Sequence, residues 1–286
     1  MSLPGRAVSA SFAAKPADDL GRLLALGRPV VMGILNVTPD SFSDGGQFID
    51  PDVAIAHAQR MVAEGADVLD VGAESTRPYG GAVPVSLEEE LRRLTPILPA
   101  VVEVGVPVSI DTIKARAAAW AVERGATIVN DVWGLQRDLD MARVVAEHGV
   151  PVIIMHNRDA ADPTIDIVAD VQIFFARSLD IAARAGIPHD RIVLDPGVGF
   201  GKTPEQSMAV IARLDAFKSF GLPLLVGASR KRFINTVMPS SPDQRLGGSI
   251  AAHLLAVRKG AAIVRVHDVA ETVQALRVDT ALTGAR

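Results

Sequence analysis

The chain has 286 residues with a formal net charge of −4, is 49% hydrophobic and 22% charged, and contains no cysteine. This supports one large α/β domain or two modest ones with a sizeable core. It gives no electrostatic reason to expect a nucleic-acid partner, and it excludes disulfides, thiolate metal sites and a cysteine nucleophile.

In chain order, Met1–Lys15 is small and mixed, without the apolar core of a signal peptide. No apolar run reaches the roughly 18 residues a membrane helix needs. A cytoplasmic protein without membrane contact is the expectation. Residues 1–28 read as a lead-in ending in a short helix, Asp18–Leu26, belonging to the domain that fills 29–286.

After the lead-in the chain repeats one unit: a short apolar run, a loop, then an amphipathic segment. Eight runs are found: Val30–Leu35, Val68–Val71, Val106–Ile110, Thr127–Val129, Val150–Met155, Arg191–Leu194, Leu222–Val226 and Ile263–Val266. Helices are expected at Pro51–Ala63, Ser86–Val102, Lys114–Arg124, Leu139–Glu147, Ile165–Ala185, Pro204–Leu214, Arg245–Arg258 and Asp268–Arg277. Ser86 with Glu89 three residues on has the pattern of a capping box. Glycines 65, 125, 149, 186 and 260 stand where left-handed helix C-caps belong.

Two architectures compete, an eight-stranded parallel (β/α)8 TIM-type barrel and an open doubly wound sheet. The count of eight favours the barrel. So do the strand ends. Nearly every run stops on a polar group: Asn36, Glu74 to Arg77, Asp111, Asn130-Asp131, His156-Asn157, Asp195, Ser229 to Lys231 and His267. An open sheet would concentrate its site at one switch point. Loops 37–47, 77–85 and 235–245 are rich in Gly, Pro, Ser or Asp and read as mobile lids.

Several motifs are decoys. The run from Gly197 to Thr203 looks like a phosphate-cradling loop, but Pro196 occupies the position of the first required glycine. Its glycines instead suit a tight turn that brings backbone close to a ligand near Asp195. His57, His148, His189 and His253 fall on helices or helix ends and read as structural. His156 and His267 end strands and are better site candidates. No soft-metal cluster is present. A hydrated Mg²⁺ held by Asn36 and substrate phosphates remains open.

The strand-end set has a chemical logic. Asp111, Asn130 and Asp195 suit a flat heterocycle with amidine-like donors, because a carboxylate pairs with adjacent N–H groups. Lys231 adds a donor. Arg77, Arg265 and His267 suit a phosphate or pyrophosphate. Arg265 and His267 lie two apart on one strand and face the same side. Arg265 inside an apolar strand requires a partner, and Asp70, which also interrupts a strand, is one choice.

These residues lie in motifs that resemble the dihydropteroate synthase family. Gly33–Gly46 is similar to the family's first-loop motif and Asp70–Pro78 to its second. Ser109–Thr112, Asn130–Gly134, Asp195–Lys202, Gly227–Lys231 and Arg265–Val269 follow in order, covering about Val30 to Leu276. The resemblance implies a transferase of folate biosynthesis. It would join p-aminobenzoate to 6-hydroxymethyl-7,8-dihydropterin pyrophosphate and release pyrophosphate. It further implies Mg²⁺ near Asn36, a homodimer, sulfonamides as inhibitors, and no partners beyond these small molecules.

Carried over residue by residue, Asp111, Asn130, Asp195, Lys231, Met155 and Phe200 would hold the pterin. Asn36, Arg77, Arg265 and His267 would hold the pyrophosphate. Phe42, Thr76, Pro78, Phe200, Ser229 and Arg232 would meet p-aminobenzoate. Asp111, Asp44, Arg77 and Lys231 would carry the chemistry, under lids formed by Thr38–Gly46 and Thr76–Pro78. Two positions depart from the family pattern. Met155–Asp159 reads Met-His-Asn-Arg-Asp, and Arg232 stands where some relatives have a serine. Two rivals share the pterin-reading barrel. A pterin-dependent methyltransferase would not need the anion set, and a non-catalytic paralogue would have lost loop or anion residues.

Overall fold

The computed structural model describes residues 19–38, 50–74 and 85–284. Phe42, Asp44, Thr76, Arg77 and Pro78, and the lids expected of the first two loops, lie outside the described residues.

The strands are β1 (Val30–Asn36), β2 (Val68–Gly72), β3 (Val108–Asp111), β4 (Ile128–Asp131), β5 (Val152–Met155), β6 (Ile192–Asp195), β7 (Leu224–Val226) and β8 (Ala261–Val266). They form a closed barrel in sequence order. Every neighbouring pair is parallel, and β8 returns to β1 with Val30 opposite Ile263. The fold is the TIM-type barrel, as the eight apolar runs predict. Several strands start later than those runs, because Pro107, Pro151 and Pro223 have no N–H to donate to a ladder.

The helices are α1 (Asp19–Leu24), α2 (Pro51–Ala63), α3 (Leu87–Leu94), α4 (Leu98–Val101), α5 (Ala115–Val122), α6 (Met141–His148), α7 (Ile167–Ala185), α8 (Pro204–Ala212), α9 (Arg232–Val237), α10 (Leu246–Lys259) and α11 (Val269–Gly284). The single helix expected over Ser86–Val102 is broken between α3 and α4. Pro96 and Pro99 remove two donors there. Ser86 does cap α3 by accepting from Glu89 N at 3.2 Å. Glu89 does not complete the box, since its carboxylate pairs with Arg92 and Arg93. A complete box forms instead at α8 between Thr203 and Gln206, behind Pro204. All five helix-end glycines carry positive φ.

Residues 235–245, whose composition reads as a lid, carry regular structure: they complete α9 and form a 3₁₀ turn, Pro242–Gln244, flanked by Ser241, whose N–H donates to the Gln244 side chain. Serine and proline act there as helix-start chemistry.

The core has two parts. One lies between strands and helices. The other fills the barrel interior with Val30, Met32, Val68, Ile128, Ile153, Val193, Leu225 and Ile263. Leu20 of α1 joins this inner cluster and is 3% exposed, so the lead-in helix closes the barrel's lower end. Strand side chains alternate between faces. Two residues beyond these interior positions lie Asp70, Asn130, Met155, Asp195, Gly227 and Arg265. The next interior layer upward is therefore polar, and the site stands directly on apolar packing.

Candidate active site

That polar layer lines a narrow cavity of about 20 Å³ at the C-terminal end of the barrel. Asp111, Asn130, Met155, Asp195, Phe200, Lys231 and Arg265 all border it. Ladder registers set them side by side: Gly72 opposes Asp111, Asp111 opposes Asn130, and Met155 opposes Asp195. All six residues expected to hold a heterocycle share this space. Val132, Val198 and Gly227 also line it. Sequence reasoning passed over them because apolar residues inside a motif carry no chemical signal of their own.

Charge within the cavity is tightly organised. Arg265 donates through Nε to Asp70 Oδ2 and through Nη2 to Asp111 Oδ2, the latter at 2.8 Å. Asp70 Oδ2 also accepts from Asn130 Nδ2 at 3.0 Å. The Asp70 partnership meets the demand that a buried guanidinium be paired, and Asp111 adds a second ion pair. Asp111 Oδ1 and Asn130 Oδ1 are buried and have no hydrogen-bond partner among the described residues. Buried acceptors left open are rare, and these two border the cavity.

Burial pushes the Asp111 carboxyl up to about 7. Arg265 pulls it back, while Asp70, Glu90 and Asp131 push it further up. Asp195 is likewise raised by burial, to about 6, against the Gly197 N–H and the positive charges of Lys231, Lys202 and Arg265. Arg265 is raised above its ordinary value, because its two carboxylate partners outweigh its desolvation. The ring of Phe200 lies under the Lys231 ammonium, 4.0 Å from it, a cation–π contact that fixes both groups on one wall.

Of the expected anion set, Asn36 and His267 stand above this layer. Asn36 ends β1 and is half-buried. His267 follows β8, and its backbone N donates to Ser229 Oγ while Nδ1 lies 2.9 Å from the same oxygen. Ser229 is therefore buried against His267. Arg232 is exposed at the first residue of α9, a helix of only six residues. That is short for a helix N-terminus to bind a carboxylate by its dipole. Among the described residues, no cluster of His, Cys, Asp and Glu could by itself hold a metal ion.

His156 does not reach the site. It is wholly buried, with Nε2 3.0 Å from Asp170 and Nδ1 2.6 Å from Lys202 Nζ. The residue following β5 faces away from the interior by the same alternation that turns Met155 inward. The Gly197–Gly201 turn approaches backbone, as its glycines suggest, but that backbone belongs to the neighbouring loop. A Cβ on Gly197 would meet His156 O at 1.9 Å, and the residue's φ is +66°. Lys202 points into this turn, which disposes of the phosphate-loop resemblance. His253 is structural as expected, accepting from Ala228 N at 3.1 Å.

The two stems of the second loop are joined at the barrel rim. Val85 N donates to Glu74 Oε1 at 3.1 Å. Lys114 pairs with Glu74 and with fully buried Glu90, and Thr112 Oγ1 donates to Glu90 at 2.6 Å.

Comparison with known proteins agrees with this geometry. The model of the pterin binding enzyme family matches residues 32–267. Dihydropteroate synthase of Bacillus subtilis is 45% identical over 256 residues, 89% of this chain and 89% of that protein. The Escherichia coli dihydropteroate synthase is 43% identical over 273 residues, 93% of this chain and 96% of its own length. Among solved structures, the Xanthomonas albilineans dihydropteroate synthase with 4-aminobenzoic acid superposes with a TM-score of 0.86. It is 45% identical, covering 91% of this chain and 95% of that one. The Clostridium difficile dihydropteroate synthase, solved in the presence of pteroic acid, gives a TM-score of 0.85 at 49% identity over 90% and 97% of the two chains. No helix among the described residues is long and apolar enough to cross a membrane. A closed parallel barrel with polar groups gathered at its strand ends, and this depth of similarity along nearly its whole length, place the chain in the dihydropteroate synthase family of pterin-binding enzymes.

Proposed function

We propose that the barrel mouth joins p-aminobenzoate to 6-hydroxymethyl-7,8-dihydropterin pyrophosphate. The observation carrying this reading is the pair of open buried acceptors, Asp111 Oδ1 and Asn130 Oδ1, beside Asp195 and Lys231. Their donor-seeking edge matches the amino and ring N–H groups of a pterin. Lys231 donates to a ring acceptor, and Phe200 and Met155 pack against the ring.

The remaining N–H groups of Arg265, with His267, Asn36 and Arg77, bind the pyrophosphate. The donor set fits a magnesium ion that arrives with that group, since Asn36 supplies one oxygen and the phosphates supply others. When bound, such an ion neutralises charge on the departing oxygens. The residues do the rest. The arylamine is a neutral nucleophile at pH 7, so no strong base is required. Its nitrogen bonds to the pterin methylene carbon as the carbon–oxygen bond to pyrophosphate breaks, and the amine proton then leaves to solvent. Asp111 holds an anion beside the pterin, where positive charge grows in the transition state, and Arg265 meets negative charge growing on the leaving group. Asp44 belongs with Asp111 in this role. Phe42, Thr76, Pro78 and Arg232 receive p-aminobenzoate, with Ser229 acting through His267. Sulfonamides, shaped like p-aminobenzoate, compete there.

A second copy of the chain is proposed to cover the face formed by α8, α9 and α10. Val237 and Met238 are each 72% exposed there, beside a hollow floored by Gly247, Gly248 and Ala251. Knob and hollow on one face suit a two-fold pair, and a monomer rarely leaves such a patch open.

One assay tests the activity. Purified protein with the pterin pyrophosphate, p-aminobenzoate and Mg²⁺ should form dihydropteroate and pyrophosphate in equal amounts. Folded protein that forms neither would sink the reading.

A further inference from the structure

Lys202 is fully buried and belongs to no part of the reaction described above. Its side-chain nitrogen donates to Gly197 O at 2.9 Å, to Phe200 O at 3.1 Å, and to His156 Nδ1 at 2.6 Å. Burial lowers this lysine from its ordinary 10.5 to about 7, so near neutrality it is present both as ammonium and as amine, and both forms donate hydrogen bonds. His156 is held well below its ordinary pKa, at about 3, chiefly by burial and then by Lys202. It is therefore neutral and accepts at Nδ1, while its Nε2–H donates to Asp170, which also receives Arg158 at 2.9 Å. The chain of contacts Asp170–His156–Lys202 thus ends on the two carbonyls that bracket the turn Gly197–Phe200.

That turn holds two pterin-facing groups. At its start, Gly197 N donates to Asp195 Oδ1 at 2.8 Å. At its end stands Phe200, whose ring carries the Lys231 contact. Gly197 O also accepts from Phe200 N at 3.1 Å, closing the turn, and the Lys202 nitrogen joins that oxygen to Phe200 O, a second acceptor that is costly to bury without a donor.

We infer that Lys202 is a positioning residue for the pterin, an internal hydrogen-bond donor that shapes the turn presenting Asp195 and Phe200. The inference rests on the pterin reading of the cavity. His156 is its relay, orienting the Lys202 nitrogen from behind. The altered loop after β5 gains a role here, since it places His156 and Arg158 around Asp170.

The test is steady-state kinetics of dihydropteroate formation with Lys202→Met, alongside wild type. Lys202→Met retains the length of the side chain without the donor. Wild-type turnover tests the pterin reading separately. Given that turnover, the variant should raise KM for the pterin pyrophosphate about tenfold or more, with kcat falling less than about threefold, the pattern of lost ground-state positioning. A folded Lys202→Met protein with unchanged KM overturns the inference. If that protein does not fold, His156→Leu and His156→Asn decide. Asparagine retains an acceptor where Nδ1 stands and leucine does not. His156→Asn should keep KM near wild type while His156→Leu raises it several-fold, and equal KM values for the two would overturn the inference.

Discussion

Arg265 Nη2 meets Asp111 Oδ2 at 2.8 Å across the barrel mouth, joining residues 154 apart in sequence. β3 and β8 are not neighbours, since β1 and β2 lie between them in the barrel order. The contact therefore spans the interior and ties the residue proposed to read the pterin to the residue proposed to anchor the pyrophosphate. Asp111→Asn removes the charge and leaves the shape. Turnover is expected to fall about 10²-fold, as when one preorganised charge contact to a transition state is lost. Full turnover in that variant would dismiss the electrostatic role.

Asp70 supports both ends of this contact, because its Oδ2 accepts from Arg265 and from Asn130. Asp70→Ala leaves a buried guanidinium short of a partner, which costs about 3–5 kcal/mol. Thermal unfolding should shift down by roughly 6–15 °C for a domain of this size. Adding Arg265→Met should restore part of that loss, and additive effects in the double variant would show that the two residues do not couple.

Proton linkage follows from the raised carboxyls. Asp195 and Asp111 are lifted from an ordinary 3.8 to about 6 and about 7. Pterin N–H donors favour the ionised form, so binding lowers both values and releases protons near about pH 6.5. Calorimetry in buffers of different ionisation enthalpy should detect this release, reduced in Asp195→Asn. Uptake instead of release would contradict it. For folding the sign is opposite to that of a salt-bridged aspartate. In this window the unfolded state binds fewer protons than the native one, so these two groups make stability fall as pH rises from about 4 to about 7.

Gly197→Ala places a methyl group 1.9 Å from the His156 carbonyl at a φ of +66°. Backbone on both sides prevents relief. Destabilisation of more than about 4 kcal/mol is expected, visible in chemical denaturation. Gly149→Ala, with nearly the same φ of +65° and nothing within 4 Å of the added carbon, is the matched control.

The proposed paired face has a direct test. Val237→Asp with Met238→Asp puts two charges on side chains that are each 72% exposed, so the folded subunit should survive. Light scattering after size exclusion should show wild type at twice the subunit mass and the variant at one. Wild type at a single subunit mass would remove the dimer.

Much of this was legible before any coordinates. Asp111, Asn130, Asp195 and Arg265 could be found because polar groups ending apolar runs are costly without a purpose. Their convergence followed from eight repeats and a closed barrel. Other features were hidden for physical reasons. Lys202 resembled a phosphate-loop lysine because sequence shows spacing but not which way a turn wraps. His156 and Met155 are adjacent, and only strand alternation sends one outward and the other into the cavity. The break after α3 was written in Pro96 and Pro99, but the amphipathic pattern across them masked it. The 3₁₀ turn at Pro242–Gln244 was hidden because capping residues and loop residues are the same residue types.

The carboxylate of Glu74 receives the N–H of Val85, so the chain leaves the barrel after β2 and comes back to the same point. Lys114 and buried Glu90 hold that point from the next unit along. The two stems of the second loop are thereby held at one point of the rim by groups outside that loop. Lengthening a closed loop costs little. The clasp therefore uncouples the stability of the barrel from the stretch that joins β2 to α3, so that changes in that stretch are expected to show in turnover before they show in unfolding.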